Sequence, residues 1–364
     1  MMQDDALRTR FFLGSNSPVG FVGRFDRLYD PLDGWRAFLI KGGPGTGKSS
    51  LMKGIAKSVG DTGIPFELVH CSSDPNSLDG VIFPSLKCCL LDATAPHVVE
   101  PKFPGACETI VNLGDHWDHA FLHKHYKEII ATSQACSVLH ERATRFLAAA
   151  GSLQTDTYRF ALECTDTAKI SRYASRLARR ELGPASDQMG KESIRLLSAI
   201  TPLGPIFFEE TIEKLCPRLF VIQDEHGACS RFLLAQLRSY ALAAGHDIVS
   251  CFCSMSPHDK LDHVLIPSLG LGFVTSNSWH EPHLTPYRRI HLQRFTDTER
   301  LRLKRQRISF NRRAVRELIG EASSRMLEAK AIHDELEAFY IHAMDFKAVQ
   351  QRQADLAKRI LSGS

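Results

Sequence analysis

The stretch Phe38-Leu39-Ile40-Lys41-Gly42-Gly43-Pro44-Gly45-Thr46-Gly47-Lys48-Ser49-Ser50-Leu51-Met52 decides how this chain is read. Its middle, Gly42 to Ser49, fits the spacing G-x-x-x-x-G-K-[ST]. Each position has a physical task. A loop that wraps phosphate oxygens must point backbone N–H groups inward, and side chains would block that approach, so glycines dominate. A helix opening near Ser49 aims the positive end of its dipole at the same point. Lys48 supplies a positive charge for the β- and γ-phosphates, and the Ser49 hydroxyl suits Mg2+. The context agrees: an apolar strand precedes the loop and a helical pattern follows it. Gly42, Gly43, Pro44, Gly45, Thr46, Gly47, Lys48, Ser49 and Ser50 are therefore the expected nucleotide contacts.

Mg2+ also needs an acid at the end of a neighbouring strand. Cys88-Cys89-Leu90-Leu91-Asp92 has that form, so Asp92 is expected to share the metal with Ser49. Asp74, after a second apolar strand (66–71), is a competing metal or water-positioning candidate. Lys48, Asp92 and Asp74 form the expected catalytic set. Ala93 stands directly after Asp92, where many ATP-hydrolysing proteins carry a glutamate base. Glu67, His70, Asp74, Asp79 and His97 are open as substitutes.

Working outward, the chain repeats itself at a spacing of about 182 residues. Phe38 to Gly45 is echoed by Phe220-Val-Ile-Gln-Asp-Glu-His-Gly227. Cys71-Ser-Ser-Asp-Pro75 is echoed by Cys253-Ser-Met-Ser-Pro257, and Leu78-Asp79 by Leu261-Asp262. His97 falls opposite His280, and Ser17-Pro18-Val-Gly20 opposite Thr201-Pro202-Leu-Gly204. The 364 residues thus read as two copies of one α/β unit. Residues 1–195 carry the intact loop and a helical extension over about 117–181. Residues 196–364 carry a degenerate copy with a basic helical region over about 296–361. Strands alternating with helices predict a doubly wound parallel sheet in each copy, followed by a helical hairpin or bundle.

The repeat also works as an internal control. Gly42, Gly47, Lys48 and Ser49 become Asp224, Cys229, Ser230 and Arg231, while Asp92 becomes Thr275 and Asp74 becomes Ser256. These are the phosphate and metal positions. Asp79 and His97 stay matched in a copy without the loop, which makes them look structural. Asp224 and Glu225 would repel phosphate, so the second copy is expected to have lost the nucleotide. It could still lend an arginine to the first, and Arg231, Arg288 and Arg289 are the candidates.

Composition bounds the rest. With 43% hydrophobic and 24% charged residues, the chain is neither disordered nor fibrous. It has no long apolar run, and its acidic start, Met1 to Asp5, lacks the basic-then-apolar pattern of a signal peptide. A cytoplasmic protein with no membrane partner is expected, whose ten cysteines are small buried hydrophobes. The net charge of +4 is local: residues 288–316 hold 11 basic and two acidic residues. That segment suits a solvated helix face or a contact with the acidic first half, with nucleic-acid or protein binding as alternatives. Asp115, His119 and His123 would share a helix face if that stretch were helical, which raises a metal alternative to a plain polar face.

Gly42 to Ser49, Cys71-Ser-Ser-Asp-Pro-Asn-Ser-Leu-Asp-Gly-Val81 and Asp92-Ala-Thr-Ala-Pro-His97 together resemble the tandem P-loop ATPase-like proteins of Gram-positive, often spore-forming bacteria. The resemblance runs over nearly the whole chain. It implies a duplicated P-loop NTPase-type architecture, with ATP and Mg2+ at the first copy. The expectation is therefore slow Mg2+-dependent ATP hydrolysis there, with the second copy regulatory or partner-binding. A small-substrate kinase and a non-catalytic nucleotide-gated scaffold are the alternatives.

Overall fold

In a computed structural model, residues 8–363 are described; the acidic start lies outside them. The first sheet contains β1 (Arg8–Phe12), β4 (Arg36–Lys41), β5 (Phe66–His70), β6 (Leu78–Phe83), β7 (Cys88–Asp92) and β8 (Glu108–Asn112). Its order is β1-β5-β6-β7-β4-β8. The second contains β9 (Glu192–Arg195), β12 (Arg218–Gln223), β13 (Ile248–Cys253), β14 (Ser256–Ile266), β15 (Leu271–Ser276) and β16 (Arg288–His291). Its order, β9-β13-β14-β15-β12-β16, is the same arrangement strand for strand. The duplication extends to single hydrogen bonds. Hairpin β2 (Gly14–Ser17) to β3 (Gly20–Gly23) turns with Ser17 Oγ on the Gly20 carbonyl at 2.7 Å. Hairpin β10 (Ser198–Thr201) to β11 (Gly204–Phe207) turns with Thr201 Oγ1 on the Gly204 carbonyl, also at 2.7 Å.

Each sheet departs from the all-parallel expectation at one strand. β6 runs antiparallel to β5 and β7, and β14 runs antiparallel to β13 and β15. Leu-Asp-Gly-Val-Ile-Phe, residues 78–83, is buried at every position. A strand covered on both faces shows no alternation, so a polar Asp79 within it conceals it in the sequence. β4, by contrast, is buried along its four central residues and reads as the apolar run it is.

Helix α1 (Lys48–Gly60) and its counterpart α6 (Ala228–Ala243) follow β4 and β12. The chain then continues through α2 (His119–Lys124), α3 (Tyr126–Glu163) and α4 (Thr167–Glu181) in the first half. In the second half, after a short α5 (Glu209–Leu215), it continues through α7 (Thr298–Arg302), α8 (Arg305–Ala343) and α9 (Phe346–Ser362). These extensions do not fold back as separate hairpins. The 38-residue α3 and the 39-residue α8 pack on each other. Cys136 meets Ala329, and Leu153 meets Asn311, so they run antiparallel. Cys136, Leu139, Ala143, Leu147 and Ala150 face Val315, Ile319, Ala322, Met326 and Ala329, spacings of three and four that keep one apolar seam along each helix.

The shorter helices are exchanged. α4 covers α6 of the second copy, placing Ile170, Ala174 and Leu177 against Leu233, Leu234 and Leu237. α9 covers α1 of the first copy, placing Val349, Leu356 and Ile360 against Leu51, Met52 and Ile55. Each copy therefore completes the other's core. The crossovers match as well. Asp118 N bonds to Ala343 O and Asp345 N to His116 O, while Asp297 N bonds to Cys164 O and Asp166 N to Phe295 O. The same four aspartates cap α2, α4, α7 and α9 by accepting backbone N–H groups, as N-cap residues do. The sheets also meet at their edges: Phe12 and Leu196 exchange backbone hydrogen bonds at 2.8 and 2.9 Å, and Arg195 pairs with Glu67 at 2.9 Å.

Candidate functional site

The Gly42–Ser49 loop joins the end of β4 to the start of α1. β4 lies between β7 and β8, with Ile40 in register with Asp92. Gly45 and Gly47 have φ of +68° and +87°, left-handed conformations that only glycine adopts without strain. Gly43 is required for a different reason. A Cβ there would lie 2.6 Å from the Tyr340 ring, and one at Gly45 would lie 2.7 Å from the Glu337 carbonyl. Both neighbours belong to α8, so a helix of the second half lies across the loop.

Lys48 Nζ donates to the Gly42 and Gly43 carbonyls at 2.9 and 2.7 Å and sits 3.6 Å from Asp92 Oδ2. Burial raises the Asp92 carboxyl above its ordinary pKa, against the opposing pull of Lys48. Thr94 shapes this corner, donating its N–H to Asp92 at 2.9 Å and its hydroxyl to the Gly42 carbonyl at 3.0 Å. Ser49 Oγ accepts the Leu78 N–H at 3.0 Å, which ties the start of α1 to β6. Thr46 is buried and donates to the Gly43 carbonyl, whereas Ser50 is exposed. Lys48 and Asp92 thus come together, while the Ser49 hydroxyl next to Lys48 is engaged by β6.

Asp74 takes a different part. Its carboxylate accepts from Asn76 N and Ser77 Oγ within its own turn, and Lys330 Nζ of α8 lies 3.6 Å away. No signal in the sequence marks Lys330, Glu337 or Tyr340 as neighbours of the loop. They reach it through the α3–α8 pairing. Arg231 is stacked 4.4 Å over Tyr158 of α3 in the first half and donates to Ser256 Oγ of its own copy. Arg288 and Arg289 lie on β16, paired in register with Phe220 and Val221 of the second sheet.

The matching loop of the second copy is built around Asp224. Asp224 Oδ1 accepts the N–H groups of His226 and Gly227 at 3.2 and 3.1 Å, and its Oδ2 accepts that of Ser230 at 2.7 Å. Gly227 keeps the left-handed φ of its counterpart, +71° against +68° in Gly45. One left-handed position is kept, but α6 opens directly after it at Ala228, whereas α1 opens only after the second, Gly47, and a carboxylate of the shortened loop accepts the N–H groups there. A cavity of about 310 Å3 lies beside it, lined by Tyr158, Arg231, Lys260, Trp279 and Arg312 among others.

The other candidates resolve plainly. Asp115 lies in a short turn before α2, where it accepts from Asn112, and it forms no metal-holding group with His119 and His123 among the described residues. In the basic segment, Arg300 pairs with Glu163 and Arg307 with Asp156, both on α3, and Lys304 lies 5.2 Å over Phe160. That is a contact with the first half. The cysteines are all unbridged, and most are buried. No described helix is long and apolar enough to cross a membrane. No family model, curated protein or solved structure matches the chain.

Proposed function

We propose that the first copy is a P-loop-type ATP site and hydrolyses ATP slowly with Mg2+. One observation carries this reading. A strand, a loop with two left-handed glycines, and a helix put Lys48 within 3.6 Å of an acid on the adjacent strand. Backbone N–H groups of Gly43 and of Gly45 to Lys48 would hold the phosphates, Pro44 having none to give. Lys48 would turn from the Gly42 and Gly43 carbonyls to the β- and γ-oxygens. Ser49 and Asp92 fit Mg2+ by chemistry, a hydroxyl and a carboxylate of hard oxygen donors. When bound, the ion would neutralise charge on the phosphates. Asp74, held by Lys330, would order the loop after β5 rather than accept a proton.

A gated mode is favoured by the position of α8. Tyr340 and Glu337 lie against Gly43 and Gly45, so nucleotide entry would move the second half's helix against the first. The second copy then acts as the responsive part, with its own nest closed by Asp224. The test is Lys48→Ala, with ATP affinity read by calorimetry and folding by circular dichroism. Loss of binding in a folded variant is the expected result. Retained micromolar binding refutes the reading.

A further inference from the structure

Below the phosphate loop, Cys71, Asp79 and His97 converge from three segments: the end of β5, the body of β6 and the loop after β7. One ligand atom from each lies within 4.8 Å of the others. Asp79 is 3% exposed and His97 is 7% exposed. Asp79 Oδ2 and His97 Nδ1 have no hydrogen-bond partner, although His97 Nε2 approaches Asp79 Oδ2 to 3.3 Å. The buried Asp79 carboxylate has His97 and the Cys71 thiol beside it, yet its Oδ2 makes no aligned hydrogen bond, an arrangement that a cation would relieve.

The second copy shows what does so there. Cys253, Asp262 and His280 are the matching triad, and Lys260 Nζ sits 2.6 Å from Asp262 Oδ1 among them. The position that matches Lys260 is Ser77, next to the Leu78–Leu261 pair. Ser77 turns its hydroxyl away, to Asp74. Thr275, which bonds His280 at 2.8 Å, is matched by Asp92. Around the same three side chains the first copy sets Asp92 and Lys48 where the second has Thr275 and Ser230, and it lacks the ammonium that Lys260 places directly on Asp262.

We propose that Cys71, Asp79 and His97 bind a divalent transition-metal ion, Zn2+ by donor set, in the place where the second copy holds the Lys260 ammonium. One sulfur, one imidazole nitrogen and one carboxylate oxygen are a zinc-type set. Metal–ligand bonds of about 2.0–2.3 Å require ligand atoms roughly 3.3–3.8 Å apart; Asp79 and His97 already meet this at 3.3 Å, and every other separation lies within 4.8 Å. Three protein ligands leave a fourth position open. The ion would tie together the three segments that frame Lys48 and Asp92. The pairwise retention of Cys, Asp and His then has a physical reason: each copy builds an anionic cup, and each fills it with a different cation.

The test uses the full chain without a histidine tag, incubated with Zn2+, desalted and assayed for metal by mass spectrometry. About one equivalent should remain. Cys71→Ala and Asp79→Asn should retain less than a tenth of it. Ser77→Lys, which supplies the second copy's ammonium, should also lose it while keeping the melting temperature. Replacement by Co2+ should give a thiolate charge-transfer band in the wild type, a readout that does not depend on any variant folding. Absence of bound metal, equal metal in wild type and Cys71→Ala, or a cobalt spectrum without the thiolate band would each overturn the proposal. Equal metal would place the ion at surface groups such as His333 and Glu337.

Discussion

Replacing Asp224 with alanine should expose an anion site that the wild-type second copy conceals. The carboxylate accepts three backbone N–H groups, at 3.2, 3.1 and 2.7 Å, at the start of the 16-residue α6. Losing a helix cap costs about 0.5–2 kcal/mol, and losing a favourable charge at a helix N-terminus costs about 0.3–1 kcal/mol more. The loop borders a cavity, so water takes up part of the loss. A net destabilisation of about 2 kcal/mol follows, or a fall in melting temperature of roughly 2–4 °C for a chain that folds as one unit. The vacated N–H groups should then accept an inorganic anion. At 100 times its dissociation constant, sulfate would restore about 2.7 kcal/mol. The assay is a thermal melt of wild type and variant in sulfate and in chloride at matched ionic strength. The expected result is a variant that sulfate selectively rescues. An unchanged melting temperature, or an equal sulfate effect on both proteins, would show that Asp224 does not fill the nest.

Other outcomes follow from the same contacts. Tyr340→Ala should tighten ATP binding several-fold, because a ring held against Gly43 taxes the binding-competent state; unchanged affinity in calorimetry would remove the gate. Residues 1–195 expressed alone should not fold stably, since they leave Leu51, Met52 and Ile55 of α1 without α9; a cooperative melt of that fragment would contradict the exchange. Burial lowers the pKa of His263 to about 3 and that of His70 to about 4. Both stay neutral in the folded protein while the unfolded chain takes up protons near pH 6.5. Stability should therefore be full above about pH 6.5 and fall toward pH 3–4, by on the order of a few kcal/mol. His263→Phe should flatten that decline in urea titrations across this range, and an unaltered pH profile would exclude His263 as its source.

The strand, the glycine loop, Lys48 and Asp92 were legible because their cues are local or nearly so. A left-handed φ demands glycine wherever the chain goes next, and an apolar run ending in an acid reads as a strand end. The duplication was legible too, since side-chain pairs such as Ser17 and Thr201 make the same turn hydrogen bonds. β6 was not, because a strand buried on both faces loses its alternation and carries the buried Asp79. Comparing the copies marked Asp79 and His97 as structural, and the structure buries both side by side, with Asp262 of the second copy paired to Lys260.

By itself, the sequence determined two copies of a strand–loop–helix unit and which copy keeps a loop suited to phosphate. Tertiary structure alone decided what surrounds that loop. The apolar seams of α3 and α8 do not state their partner, and each finds it in the other half, some 190 residues away. That pairing carries α9 onto α1 and sets Tyr340, Glu337 and Lys330 against the loop and Asp74. It also gives Gly43 a reason that no dihedral angle provides, since the space for its side chain is taken by a ring from the other copy. Periodicity specifies that a face must be buried, and only packing selects what buries it.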